Sequence, residues 1–113
     1  MPGWRSPTVV ERPGWDRAFE TLVDSRLKKS VVCPSCGRAY LRLFFRRFDT
    51  PHRGGYWLWC PACLRYEHGD GRVPEWWLDV GGVDLAVLTP QPEWLEKHWT
   101  SLGLGRHKES ASA

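Results

Sequence analysis

Cys33-Pro34-Ser35-Cys36-Gly37 and Cys60-Pro61-Ala62-Cys63 decide the fold of this chain. Each is a C-x2-C turn with proline after its first cysteine, and 23 residues separate Cys36 from Cys60. Two residues between cysteines allow a tight turn whose backbone N–H groups point at the sulfurs and help offset thiolate charge. Zinc takes four ligands in a tetrahedron, and thiolates at ~2.3 Å satisfy it. The segment between the turns has the length of a strand, a loop and a second strand, which brings the two turns together. Cys33, Cys36, Cys60 and Cys63 are therefore the candidate ligands of one structural zinc ion. Iron on the same four thiolates, a redox dithiol and a pair of disulfides are the other readings. A redox dithiol lacks its βαβ context here. A catalytic zinc needs an open position, which four cysteines close, and no H-x-E precedes them as in a zinc deaminase.

Through these two motifs the chain resembles the broad zinc-ribbon class, over residues 31–68. The resemblance implies three short antiparallel strands beneath two metal-binding knuckles. Members of that class serve in transcription, translation, RNA modification and protein assembly, so the likeness bears on metal and fold more than on task.

Outward from the motifs, the sequence predicts an α+β fold in a small single domain. A four-cysteine zinc ribbon of three short antiparallel strands is flanked by an N-terminal and a C-terminal helix. A chain of 113 residues suits one domain, and chains this small often need a metal for stability. Residues 1–13, with Pro2, Gly3, Pro7 and Pro13, read as an irregular arm in which Val9 and Val10 dock as a short strand. The domain proper is expected over 14–105. Its first helix, at 14–29, follows the near-3.6 spacing of Trp15, Ala18, Phe19, Leu22, Val23 and Leu27. Strands follow at 39–48, at 56–59 and at 64–68. The second is preceded by a turn-rich loop at 49–55, and the third is broken by Gly69-Asp70-Gly71. A loop or single turn carries Trp76-Trp77, and Val83–Leu88 is a candidate strand. A helix at 92–102 starts behind Pro90 and Pro92 and stops at Gly103 or Gly105. Residues 106–113 read as a disordered tail.

Composition narrows the class further. Apolar residues at 42% and charged residues at 26% are ordinary for a folded soluble protein. The opening Met1-Pro-Gly-Trp-Arg-Ser-Pro7 has no apolar h-region, and no stretch approaches a membrane span of ~20 apolar residues. No membrane association and a cytoplasmic location are the expectations, and a reducing compartment favours metal over disulfides. Eight tryptophans are too many for a small domain to bury fully, since each indole is large and its N–H needs a partner. Some are expected at the surface or at an interface.

Charge is segregated beneath the net of +3. Residues 26–72 carry ten basic and three acidic residues, a net of +7, while 73–105 carry five acidic residues against Lys97, a net of −4. Either the halves attract each other or both faces are solvated. Strand 39–48 alternates: Leu41, Leu43 and Phe45 face one way, and Tyr40, Arg42, Phe44, Arg46 and Phe48 the other. The second set mixes rings with guanidinium groups. It fits packing against the rest of the chain, a protein-binding face, or a nucleic-acid face that stacks bases and neutralises phosphates.

Tyr40, Arg42, Phe44, Arg46, Arg53, Trp76 and Trp77 are the candidate binding residues. Adjacent indoles at 76 and 77 cannot both point inward, so one can cap the ribbon while the other meets a partner. His68 and His98 are read as half-buried polar contacts, since four cysteines already saturate the metal. No catalytic constellation is recognisable. The functional expectation is a zinc-binding, non-enzymatic interaction module, of adaptor or inhibitor type, with a protein partner. The alternative is a nucleic-acid-binding ribbon that uses the Arg/aromatic face of residues 40–59.

Overall fold

The computed structural model describes residues 3–48, 50–79 and 83–102. Its elements run α1 (Arg12–Asp24), β1 (Arg42–Arg47), β2 (Arg53–Cys60), β3 (Arg65–Arg72), a 3-10 turn (Leu85–Val87) and α2 (Glu93–Lys97). The strands form one antiparallel meander in the order β1-β2-β3. A three-stranded antiparallel sheet with two helices agrees with the α+β reading.

Helix α1 begins and ends earlier than its apolar spacing suggests. Thr8 and Glu11 exchange hydrogen bonds on the turn leading into it. The Thr8 N–H donates to the Glu11 carboxylate at 2.9 Å, and the Glu11 N–H donates to the Thr8 hydroxyl at 3.3 Å. This is the reciprocal pattern of a capping box. Val9 and Val10 sit on that turn, 84% and 89% exposed, and do not dock as a strand. The docked part of the arm is Arg5, which bridges in parallel to Arg65. At the other end the Leu27 N–H donates to the Leu22 carbonyl at 2.8 Å and the Arg26 N–H to Val23 at 3.1 Å. Arg26 and Leu27 adopt φ 54° and 64°. These paired bonds make a Schellman stop, and the accompanying apolar contact is Leu27 with Leu22, both buried. Leu27 thus packs by turning the chain, not by continuing the helix.

The sheet is covered on both faces. Register places Leu43, Leu58 and Glu67 in one row and Phe45, Tyr56 and Gly69 in the next. This face meets α1, where Phe19 lies 6.1 Å from the Phe45 ring and 4.9 Å from the Tyr56 ring. The opposite face carries Arg42 beside Trp59 and Phe44 beside Trp57. It is covered by the C-terminal segment: Trp57 Nε1 donates to the Thr89 carbonyl and Trp59 Nε1 to Glu96, at 2.8 and 2.9 Å. Trp77 wraps the edge of β1 and touches the Phe44 and Phe45 rings edge-on.

Two strands are longer than expected because glycine permits close approach. Arg53, Gly54 and Gly55, read as loop, open β2, and Gly69-Asp70-Gly71, read as a break, lies inside β3. A Cβ on Gly54 would collide with the Arg46 carbonyl, and one on Gly69 would lie 2.9 Å from the Tyr56 ring. Glycine here brings neighbouring strands and a ring together instead of ending the ladder. Val83–Leu88 is not a strand: the Asp84 carboxylate accepts from the Ala86 N–H at 2.9 Å and starts the 3-10 turn. Helix α2 is five residues, with turns continuing to Leu102. The expected stop at Gly103 or Gly105 and the tail at 106–113 lie outside the described residues.

Four of the eight tryptophans (Trp15, Trp57, Trp59, Trp77) are buried and the other four are half-buried. Glu96 joins the two halves of the chain, accepting from Arg42 at 2.6 Å and from Trp59 at 2.9 Å, while Arg42 lies 5.1 Å over the Trp99 ring. Glu96→Ala breaks a charge-assisted pair and leaves the indole N–H of a fully buried Trp59 unmatched, at a cost of about 2–3 kcal/mol. Glu96→Gln keeps the acceptor for Trp59 and costs less. Urea unfolding of the two variants measures the difference.

Candidate metal centre

The cysteine turns are conformational copies of each other. In the first, the Gly37 N–H donates to the Cys33 carbonyl at 2.7 Å; in the second, the Leu64 N–H donates to Cys60 at 3.0 Å. The residue after each second cysteine is left-handed, Gly37 at φ 75° and Leu64 at φ 59°. Glycine takes this conformation freely, whereas leucine is strained in it. The Cys33 N–H donates to the Arg38 carbonyl at 2.8 Å and closes the first turn. The Ser35 N–H points at the Cys33 sulfur at 3.4 Å, as a thiolate-supporting amide does.

The two turns meet at the end of the sheet where β2 finishes in Cys60. The Cys33 and Cys63 sulfurs are 3.6 Å apart, those of Cys36 and Cys60 3.7 Å, and all four lie within 4.8 Å of one another. No pair is bonded as a disulfide. Four thiolates at ~2.3 Å from a central ion define a tetrahedron with edges of about 3.8 Å. The cluster is thus tetrahedral-like and could hold a metal ion. Cys33 and Cys60 are buried, Cys63 is half-buried and Cys36 is exposed.

Burial and mutual charge act differently on the four sulfurs. Burial pushes the Cys33 thiol up to about 11, with the Cys60 charge adding to the shift. Burial, then the neighbouring Cys33 and Cys60, push Cys63 well above the ordinary thiol range. Burial also acts on Cys36, but the Arg38 N–H and the surrounding thiols outweigh it and its thiol is lowered. Four thiolates at this spacing would repel one another, and a bound cation would offset that repulsion.

The rest of the chain is tied to both turns. Trp15, fully buried, donates its Nε1–H to the Ser35 hydroxyl at 2.9 Å. Gly14 lies so close to Pro34 that a Cβ there would sit 2.9 Å from the proline ring. Arg5 clasps the second turn: its N–H donates to the Leu64 carbonyl and its carbonyl accepts from the Tyr66 N–H, both at 2.9 Å. Glu11 is held below its usual pKa by the Thr8 backbone N–H and the Ser35 hydroxyl, with Arg65 adding to the effect. Trp15, Ser35 and Gly14 were not legible as supports of the site, because nothing in sequence spacing links residue 15 to residue 35.

The other candidate residues do not form one open face. Phe44 is 1% exposed, Arg42 is engaged by Glu96, and Arg46 donates through Nε to the Val83 carbonyl at 3.1 Å. Of the three uses considered for this stripe, internal packing accounts for these residues. Trp77 is buried and Trp76 half-buried, edge-on to it. Tyr40 and Arg53 are exposed. His68 and His98 are half-buried; each donates Nδ1–H to a backbone carbonyl, of Tyr56 and Trp94, and stacks on Trp57 and Trp94 respectively. Among the described residues, no helix is long and apolar enough to cross a membrane. No protein-family model, curated protein or solved structure matches the chain.

Two substitutions probe this construction. Gly37→Ala meets no atom within 4 Å, so its cost is that of the left-handed backbone, about 1–2 kcal/mol in thermal or urea unfolding. Trp15→Phe keeps the ring and removes the donor to Ser35. It is expected to weaken metal affinity by about tenfold in chelator competition, and Ser35→Ala added to it should cost little more.

Proposed function

We propose that this chain is a non-enzymatic interaction module, built as a zinc ribbon around one structural zinc ion, that binds a protein partner. The metal reading is carried by the 3.6 and 3.7 Å sulfur separations between two conformationally matched turns. These are close to the edges expected for a zinc–thiolate tetrahedron at about 3.8 Å. Four cysteine ligands leave no position for substrate or water, which supports a structural role. Zinc binding and folding are then one event, since the helix, the arm and the hairpin all converge on the two turns.

The partner reading rests on the far end of the sheet. There Arg47 clamps the segment after β3, donating to the Pro74 and Trp77 carbonyls and to Asp79 at 2.8–2.9 Å. Phe48 and Leu78 follow the two ends of this clamp in sequence and are 42% and 72% exposed, with half-buried Trp76 beside them. Glu75 adds acidic character to the same segment, and exposed Arg53 and Arg72 add basic character at this end. Aromatic and aliphatic anchors within a charged surround are the composition of a protein interface. A partner with an apolar anchor and flanks of both charges fits this end. The nucleic-acid alternative on the face of residues 40–59 has little support, because Arg42, Phe44 and Arg46 are engaged inside the fold.

Native mass spectrometry of the purified full chain is expected to show one zinc ion per chain. Strong chelation should remove it and sharply lower the melting temperature; unchanged melting after metal removal would reject the structural-metal reading, and iron would show by mass and by visible thiolate absorption. A protein retained through purification from the native host should be lost with Leu78→Asp or Phe48→Asp and kept with Arg72→Glu. Retention by all three variants would reject the proposed interface.

A further inference from the structure

The structure separates the basic residues of the ribbon into engaged and unengaged sets. Arg42, Arg46 and Arg47 are engaged by Glu96, the Val83 carbonyl and the Arg47 clamp. Arg26, Lys28, Lys29 and Arg38 are exposed, and their side chains make no hydrogen bond or ion pair with any described residue. These four lie on one stretch, the loop from the Schellman stop of α1 into the first cysteine turn and the residue that closes that turn. The Cys33–Arg38 backbone bond holds Arg38 against the approach from Lys29. Arg17 adds a fifth cation from α1, since its guanidinium and the Pro34 ring both border Gly14. No acidic residue occurs between 25 and 48. Of the bordering carboxylates, Asp24 shares a shallow depression with Lys29, Thr21 and Ser25, and Glu11 is turned to Thr8 and Arg65.

Two exposed apolar side chains belong to the same stretch of chain. Val32 is 56% exposed and Tyr40 53%, one before the first cysteine turn and the other after it in sequence. We infer that this rim of the metal centre (Lys28, Lys29, Val32, Arg38 and Tyr40) binds single-stranded nucleic acid. The cations take phosphates, and the Tyr40 ring takes the face of an unpaired base. A bare acidic peptide would match the charge but leave the ring without a stacking partner. The inferred surface is separate from the apolar end of the sheet and does not depend on the protein-partner reading.

The test is fluorescence anisotropy of the full, zinc-loaded chain with a labelled oligothymidylate of about 20 nucleotides, titrated in salt from about 50 to 200 mM. Binding is expected to fall steeply with salt. Lys28→Gln/Lys29→Gln/Arg38→Gln should weaken it at least about tenfold and reduce the slope of log K against log salt by about 2. Tyr40→Ala should weaken it about tenfold with the slope unchanged. Arg53→Gln/Arg72→Gln, at the other end of the sheet, should leave binding as it is. Equal melting temperatures across the set separate lost binding from lost folding. Absence of binding at the lowest salt, an equal loss in the Arg53/Arg72 variant, or equal competition by polyglutamate would overturn the inference.

Discussion

Four sulfur atoms gathered within 4.8 Å of one another would repel as thiolates, and holding them together is the constraint on which the rest of the chain converges. A central cation would turn that repulsion into attraction. The cluster's effect reaches well beyond the two turns. Cys60 is the last residue of β2, so the cluster fixes one end of the sheet. Trp15 bonds to Ser35 and Arg5 brackets Leu64 and Tyr66, so the cluster also fixes α1 and the arm. The strained Leu64 at the second turn shows the same dependence. An unfavourable backbone conformation persists only where its surroundings over-determine it.

A three-stranded sheet has two faces and little area, and one covered face would leave the aromatics of the other in water. The chain covers both. Helix α1 packs on one side, and the segment beyond β3 folds back over the other. Tryptophan suits the second layer because it fills volume and can still satisfy one polar atom. Trp57 and Trp59 lie under that layer and reach its Thr89 carbonyl and Glu96 carboxylate. Attraction between the basic ribbon and the acidic C-terminal part is thus realised at a few defined points, Arg42–Glu96 and Arg47–Asp79. Arg26, Lys28, Lys29 and Arg38 are left exposed toward the cysteine end, while exposed Arg53 and Arg72 lie at the other end with Phe48 and Leu78.

The four-cysteine cluster was legible in the sequence because its signal is local. Proline and two-residue spacing specify each turn, and the distance between the pairs allows a hairpin. Helix α1 and β1 were legible as periodic patterns, since side chains recur at 3.6 and at 2 residues whatever surrounds them, whereas β2 and β3 were placed only in part, between the cysteine turns and glycine-rich stretches. The alternation in 39–48 gave the two rows of β1 in their observed order. Thr8-Val-Val-Glu11, read as part of an irregular arm, has the spacing of a capping box, and its reciprocal hydrogen bonds account for the early start of α1.

What the alternation cannot contain is which element covers each row, and this tertiary structure alone decided. Whether Arg42 and Phe44 packed against the chain or formed a binding face stayed open until Glu96 and Trp77, tens of residues away, were placed against them. The glycines of β2 and β3 depended in the same way on distant partners. Gly69 is a strand residue because the Tyr56 ring lies over it, and nothing local distinguishes it from a breaker. Sequence by itself determined the two cysteine turns and the elements that carry them, because those rest on contacts within a few residues. The fold decided which charges and rings remain available, because that depends on contacts between segments far apart in the chain.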